Sequence, residues 1–309
     1  MVVLSSRSGA AKLAFAVVFS LVTLKIVVGV ITGSISVLAQ AADSGLDVLA
    51  VMLTFFAVTA ASRPADREHP FGHGKLENVA AFIQAGLLFT AAVLIIYSSV
   101  QRIITGARVE LAEAGIGVML VSIVSSVVLS RYLLRVSRTS DSIALEANAH
   151  NIAADVYSTS AVLLGLVIVR FTGLTVIDPI LAIIVSFVIL RSGYTVVRKS
   201  FGGLIDVKLP EEEEKIIKTT IMEHDGELVD FHALRTRKAG SQRYIDLHLV
   251  MPRDISLDKA HQMTDHLEQD IMSKLASTSV TIHVEPCGEE CEKCPIGDKK
   301  GKSKPKQLR

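Results

Sequence analysis

Six apolar runs fill the first two thirds of the 309-residue chain, at about 12–32, 36–60, 78–103, 112–136, 143–169 and 177–197. Most approach the roughly 20 residues that a helix needs to cross a hydrocarbon core. An open sheet leaves backbone groups unsatisfied in lipid, and the runs lack the two-residue alternation of barrel strands, so they predict six transmembrane helices. A signal peptide is the competing reading of the first run, because Arg7 and Lys12 precede it and Ala39-Gln40-Ala41 resembles a cleavage site. The length of the interval and the interruption by Lys25 argue against it.

Charge divides the chain at the same place. Of the 32 Lys and Arg and 31 Asp and Glu, 17 basic and 19 acidic residues follow Asp206, together with six of the nine His. Two solvents are implied: lipid for residues 1–206, a transmembrane domain, and water for 207–286. Half of the residues are apolar, only three are Cys and the formal net charge is +1, which excludes a disordered chain, a disulfide scaffold and a globally basic nucleic-acid binder. If the N-terminus is cytoplasmic, that side collects Arg7, Lys12, Arg63, Arg67, Lys75, Arg135, Arg138, Arg198 and Lys199, against Arg102, Arg108 and Arg170 on the other. The positive-inside rule then places both termini in the cytosol of a multi-pass protein of the cell membrane.

The water-soluble part predicts a helix opening at Pro210–Glu214, strands near 228–237 and 244–251, a helix capped by Ser256 and running to about Ala276, and a strand at 279–285. That order, α-β-β-α-β, is a small α+β domain. On its strands Tyr244, Asp246 and His248 share one face, as do Thr281, His283 and Glu285, while Ile245, Leu247, Ile282 and Val284 are expected to pack inward. Residues 287–309, with Lys299, Lys300, Lys302, Lys304 and Lys306, read as a flexible Cys-containing tail.

Polar side chains inside the spans carry the function. An ionised carboxylate at mid-bilayer costs about 3 kcal/mol on insertion scales. Asp43 and Asp47 lie four apart in the second span, and Asn151 and Asp155 four apart in the fifth, so each pair shares a helix face. A cation between them, or protonation, would relieve a burden of roughly 9 kcal/mol for three unpaired Asp. Interhelical hydrogen bonding is the plainer reading of such pairs. Lys25 is read either as a snorkelling side chain or as a partner for a carboxylate. The connection after the second span packs Asp66, His69 and His73 into eight residues, typical ligands for a borderline divalent metal.

These features together resemble the cation diffusion facilitators, dimeric metal/proton antiporters. The carriers of the resemblance are Ser34-Ile35-Ser36-Val37-Leu38-Ala39 followed by Asp43-x-x-x-Asp47, then His69-Pro70-Phe71-Gly72-His73-Gly74-Lys75-x-Glu77, the Asp155 segment and the His-bearing strands. The resemblance implies six transmembrane helices with a cytoplasmic metallochaperone-like domain and a homodimer. It also implies a transport site of Asp43, Asp47, Asn151 and Asp155, a loop site of Asp66, His69 and His73, and a zinc-type cytoplasmic centre of His232, His248, His261, His283 and Glu285. Lys75 and Asp206 would interlock the subunits.

One departure bears on the metal. Zinc-preferring members carry His where this chain has Asn151, and His150 is one residue early, turned by about 100° on a helix. An all-oxygen site is harder and favours Mn²⁺ relative to an imidazole-containing one, with Fe²⁺ next; Zn²⁺, or a broad Zn²⁺/Fe²⁺/Co²⁺/Cd²⁺ range, is the alternative cargo. Exchanged protons are then expected on the Asp carboxylates, with His150 an outside candidate. Cys287, Cys291 and Cys294 follow the last strand at metal-binding spacing, a pattern that also occurs in iron-sulfur enzymes. A membrane metal sensor without transport is the other functional class, and an intramembrane metalloprotease fails because no His-Glu-x-x-His occurs.

Overall fold

The computed structural model describes residues 6–32, 35–105, 113–172, 174, 176–224 and 228–288. The chain divides after Ile205 into two units.

The first unit consists of six long helices, α1 (Arg7–Thr32), α2 (Ile35–Ala61), α3 (Lys75–Thr105), α4 (Glu113–Ser140), α5 (Ile143–Thr172) and α6 (Ile177–Leu204). Among the described residues, four helical stretches are by themselves long and apolar enough to cross a membrane: Arg7–Ile31, Lys75–Thr105, Ile116–Ser140 and Ile177–Leu204. The distribution of side chains is that of a protein dissolved in lipid. Phe19, Ile31, Phe56, Ile104 and Phe187 point outward, whereas Ala81, Ala85, Ala147, Gln84, Ser126 and Asn148 are buried. Helices in a bilayer gain little from burying Leu against Leu, so small and hydrogen-bonding residues collect where backbones approach. This is a helical transmembrane domain. Helix α5 packs against each of the other five, which puts its polar residues at the middle of the bundle.

Ion pairs tie the helix ends. Glu77, wholly buried at the start of α3, accepts from Arg7 of α1 at 2.9 Å and from the Ser142 hydroxyl just ahead of α5. Lys199 of α6 reaches Glu146 of α5 at 2.5 Å. At the α3–α6 contact, Asn78 donates to the Ser200 carbonyl at 3.3 Å, and Gly203 lies so close that any Cβ there would fall on the Asn78 carboxamide.

The second unit follows the expected order, with α7 (Glu211–Met222), β1 (Asp230–Ala239), β2 (Gln242–Met251), α8 (Leu257–Lys274) and β3 (Thr278–Pro286). Four acids in the first turn of α7 complement its positive end, and Ser256 caps α8 by accepting from the Lys259 N–H at 3.3 Å. The sheet order is β1-β2-β3, antiparallel between β1 and β2 and parallel between β2 and β3, with α8 as the crossover. One sheet face, carrying Ile245, Leu247, Leu249 and Met251, packs on Ile217 and Ile221 of α7 and Met263, Leu267 and Ile271 of α8. The opposite face carries the histidines.

Two details depart from the sequence reading. Val284 is exposed instead of packed, because it sits near the end of edge strand β3. Cys287 belongs to the packed domain and not to a tail: its side chain is buried and its N–H donates to the Met251 carbonyl at 2.8 Å, prolonging the ladder. Strand β1 also contains a bulge between His232 and Arg235, where Ala233 adopts a positive φ of 52°.

Candidate metal sites

Asp47 of α2 and Asp155 of α5 line one small cavity inside the helical unit, together with Lys25, Ser44, Ser122, Ser126 and the apolar Val18, Leu21, Val22 and Ile152. Its volume, about 20 Å³, suits a single small occupant. Helices α2 and α5 therefore turn their acids toward a common point. Lys25 is 5% exposed and donates to the Ser44 hydroxyl at 2.6 Å, so it neither snorkels nor lies outside the cavity. The side chain of Asp43 lies outside the described residues. Asn151 is buried, but its amide nitrogen donates to Gln84 of α3 at 3.2 Å, and Gln84 donates in turn to the Thr54 hydroxyl of α2 at 3.0 Å. Neither Asn151 nor His150 is among the residues lining the cavity.

The loop between α2 and α3 gathers its three expected ligands. Asp66 Oδ1 lies 3.4 Å from His69 Nδ1, and Asp66 Oδ2 lies 3.3 Å from His73 Nε2. The ligand atoms of the three fall within 4.8 Å of one another. The turn is local: Asp66 Oδ1 accepts from the N–H groups of His69 at 2.7 Å and Glu68 at 3.0 Å. Gly72 takes φ 77°, a left-handed conformation that bulkier residues resist, and so brings His73 back over Asp66. The His69 N–H above all, then that of Glu68 and the nearby imidazoles, hold the Asp66 carboxyl below its ordinary range. A group kept anionic beside two imidazoles suits a borderline cation.

On the sheet, His232, His248 and His283 stand on one rung, since His232 pairs with His248 across β1–β2 and His248 with His283 across β2–β3. Glu285 joins them. Its carboxylate lies 2.7 Å from His248 Nδ1, 3.1 Å from His232 Nε2 and 3.7 Å from His283 Nε2. Hydrogen bonding from His248 and then His232 lowers its pKa. The ligand atoms of His232, His248 and Glu285 come within 4.8 Å of one another, a nitrogen-rich set suited to a resident zinc-type ion. His261 is not brought to this group within the chain. It is exposed on α8, 3.6 Å from Asp265, because α8 packs on the other face of the sheet.

Cys291 and Cys294 lie outside the described residues. Lys75 donates to the Leu204 carbonyl at 3.3 Å, and Asp206 lies 3.6 Å from Arg237. Sequence reasoning missed the Gln84–Thr54 link, the serines of the cavity and a group formed by His224, His266 and Asp270. The spacing of His266 and Asp270, one helical turn apart, was the available signal.

Comparison with known proteins agrees with this architecture. Residues 11–205 match the cation efflux transmembrane domain and residues 209–287 the cation efflux protein cytoplasmic domain. The cation-efflux pump FieF of Shewanella oneidensis is 31% identical over 90% of this chain and 93% of its own length. FieF of Pectobacterium atrosepticum is 32% identical over 90% and 92%. Among solved structures, the metal-bound C-terminal domain of the CzcD transporter from Thermotoga maritima matches with 24% identity and a TM-score of 0.23, over 24% of this chain and 87% of that one. With both of its domains matched in order by the same family's two profiles, the chain belongs to the cation efflux, or cation diffusion facilitator, family.

Proposed function

We propose that the chain carries a divalent metal out of the cytosol in exchange for protons, with Mn²⁺ favoured over Zn²⁺ as cargo. The observation that carries this reading is the convergence of Asp47 and Asp155, from two helices, on one cavity inside the membrane domain. Membership of the cation efflux family supports divalent cation efflux, by a secondary transporter and not an enzyme.

Asp43 joins the site by its one-turn spacing from Asp47, and Asn151 borders it through its turn-mate Asp155. Deprotonated carboxylates bind the cation from the cytosolic side, and protonation from the far side weakens their hold. Oxygen donors favour Mn²⁺ relative to a site with imidazole. The loop and sheet sites hold resident zinc-type ions, the protein works as a homodimer interlocked through Lys75 and Asp206, and both termini are cytosolic.

Flux into proteoliposomes across Mn²⁺, Fe²⁺, Co²⁺, Zn²⁺ and Cd²⁺ tests the proposal. Asp47→Ala is expected to abolish metal-dependent proton movement, and Asn151→His to shift preference toward Zn²⁺. Metal binding without flux in the wild type would mark a sensor instead, and an unchanged Mn²⁺ to Zn²⁺ ratio in Asn151→His would remove the case for Mn²⁺.

A further inference from the structure

The helical layer of the cytoplasmic domain carries a group of metal-ligating side chains on the side of the sheet away from His232, His248 and His283. His224 follows the end of α7, where its N–H donates to the Ile221 carbonyl at 3.2 Å. Its ring Nδ1 lies 3.0 Å from the Thr220 carbonyl oxygen, which accepts only, so Nδ1 carries the proton. In the neutral ring Nε2 is then a lone pair, and it points at Asp270 Oδ2 from 3.2 Å. His266, one turn before Asp270 on α8, brings its own Nε2 to 3.5 Å from the same oxygen. The three ligand atoms lie within 4.8 Å of one another.

A lone pair facing a carboxylate oxygen at that distance is unfavourable unless a proton or a metal ion lies between them. We propose that His224, His266 and Asp270 form a binding site for a borderline divalent cation of the zinc class, distinct from the loop and sheet sites. Zinc binds His nitrogen and carboxylate oxygen at about 2.0–2.2 Å, which separates tetrahedral ligands by roughly 3.3–3.5 Å. The two measured nitrogen–oxygen separations match such edges. Hydrogen bonding of the far ring nitrogen to a carbonyl is the usual outer support of a metal-bound imidazole, and the Thr220 carbonyl provides it for His224. His224 is 10% exposed, Asp270 38% and His266 63%, so the inner ligands are fixed and the fourth position opens to water. The ion joins the C-terminal end of α7 to α8, beside the ion pair of Glu223 with Lys274.

The test is zinc binding by the metal-stripped full chain in detergent, read as tightly held Zn²⁺ per chain and independent of transport. The background is His232→Ala/His248→Ala/Glu285→Gln, which removes the sheet ligands. His266→Gln, at an exposed position, is expected to lose one equivalent per chain, or to weaken that equivalent at least tenfold. An unchanged stoichiometry and affinity overturns the proposal, because a proton alone then occupies the gap. Chemical modification of histidines in the wild-type chain gives a second reading that needs no variant. Zn²⁺ is expected to protect His266 and His224, and equal modification with and without Zn²⁺ overturns the site.

Discussion

Removing the Glu77 carboxylate is expected to destabilise the helical unit by about 3 kcal/mol, a value near the low end of what breaking a buried ion pair costs. The carboxylate is wholly buried and serves two side-chain donors, the Arg7 guanidinium at 2.9 Å and the Ser142 hydroxyl, besides the Ala144 N–H. In Glu77→Ala both lose their acceptor. The hydroxyl alone accounts for about 1–3 kcal/mol when left unpaired in a buried place. The Arg7 side chain, 28% exposed, recovers part of its loss from water, which holds the sum near the lower bound and not at 5 kcal/mol. Glu77→Gln retains an oxygen for both donors and gives up only the charge, so its cost is about 1 kcal/mol. Denaturant unfolding of the full chain in detergent measures these values, and a cycle with Arg7→Ala isolates the pairwise part. A Glu77→Ala cost below about 1 kcal/mol, or strict additivity with Arg7→Ala, would refute the assignment of this group as the tie between α1, α3 and α5.

Gly203→Ala is expected to cost about 1–3 kcal/mol by driving a methyl group into Asn78, and the double variant with Asn78→Ala should recover most of it in the same assay. In the cytoplasmic unit, Arg243 is nearly buried and bound to Glu213 at 2.7 and 2.8 Å, so Glu213→Ala should lower stability by about 3 kcal/mol; a loss under 1 kcal/mol in chemical unfolding would count against it. Glu285 has a pKa below its ordinary 4.5, so what it contributes is complete above pH 4.5 and disappears as pH falls through the lower folded value. Thermal midpoints of metal-free wild type and Glu285→Gln should therefore differ above pH 4.5 and converge as pH falls below it. Convergence already near pH 6 would place the effect on another group.

Short-range patterns transferred well from sequence to structure, and long-range pairings did not. The six helices and the α-β-β-α-β order follow from hydropathy and periodicity, which each segment carries within itself. The loop site was legible because Asp66, His69 and His73 meet through one turn. Asp47 and Asp155 were legible because ionisable groups in apolar runs are costly enough to need a reason. The partner of Asn151 was not, since Gln84 comes from another helix and nothing in either run selects it. His224 and Asp270 met only through the packing of α7 on α8, and within the chain His261 stays apart from the rung of histidines, because a resemblance names residues without saying which face of a sheet a helix covers.

The irregularity in β1 has a consequence for changes in chain length. Counted back from the hairpin as an unbroken ladder of all its residues, His232 would stand opposite Leu249, which faces the helices, and Ala233 opposite His248; the bulge returns His232 to the rung of His248. Removing one residue at Ala233 or Leu234 thus takes out the bulge and leaves an unbroken ladder with His232 still opposite His248. The same deletion in the two-residue Gly240–Ser241 turn would break the Ala239–Gln242 pairing and shift the register of the hairpin. Homologues one residue shorter at the bulge are for that reason expected to keep the rung of three histidines, whereas a one-residue change in the turn is expected to disturb it.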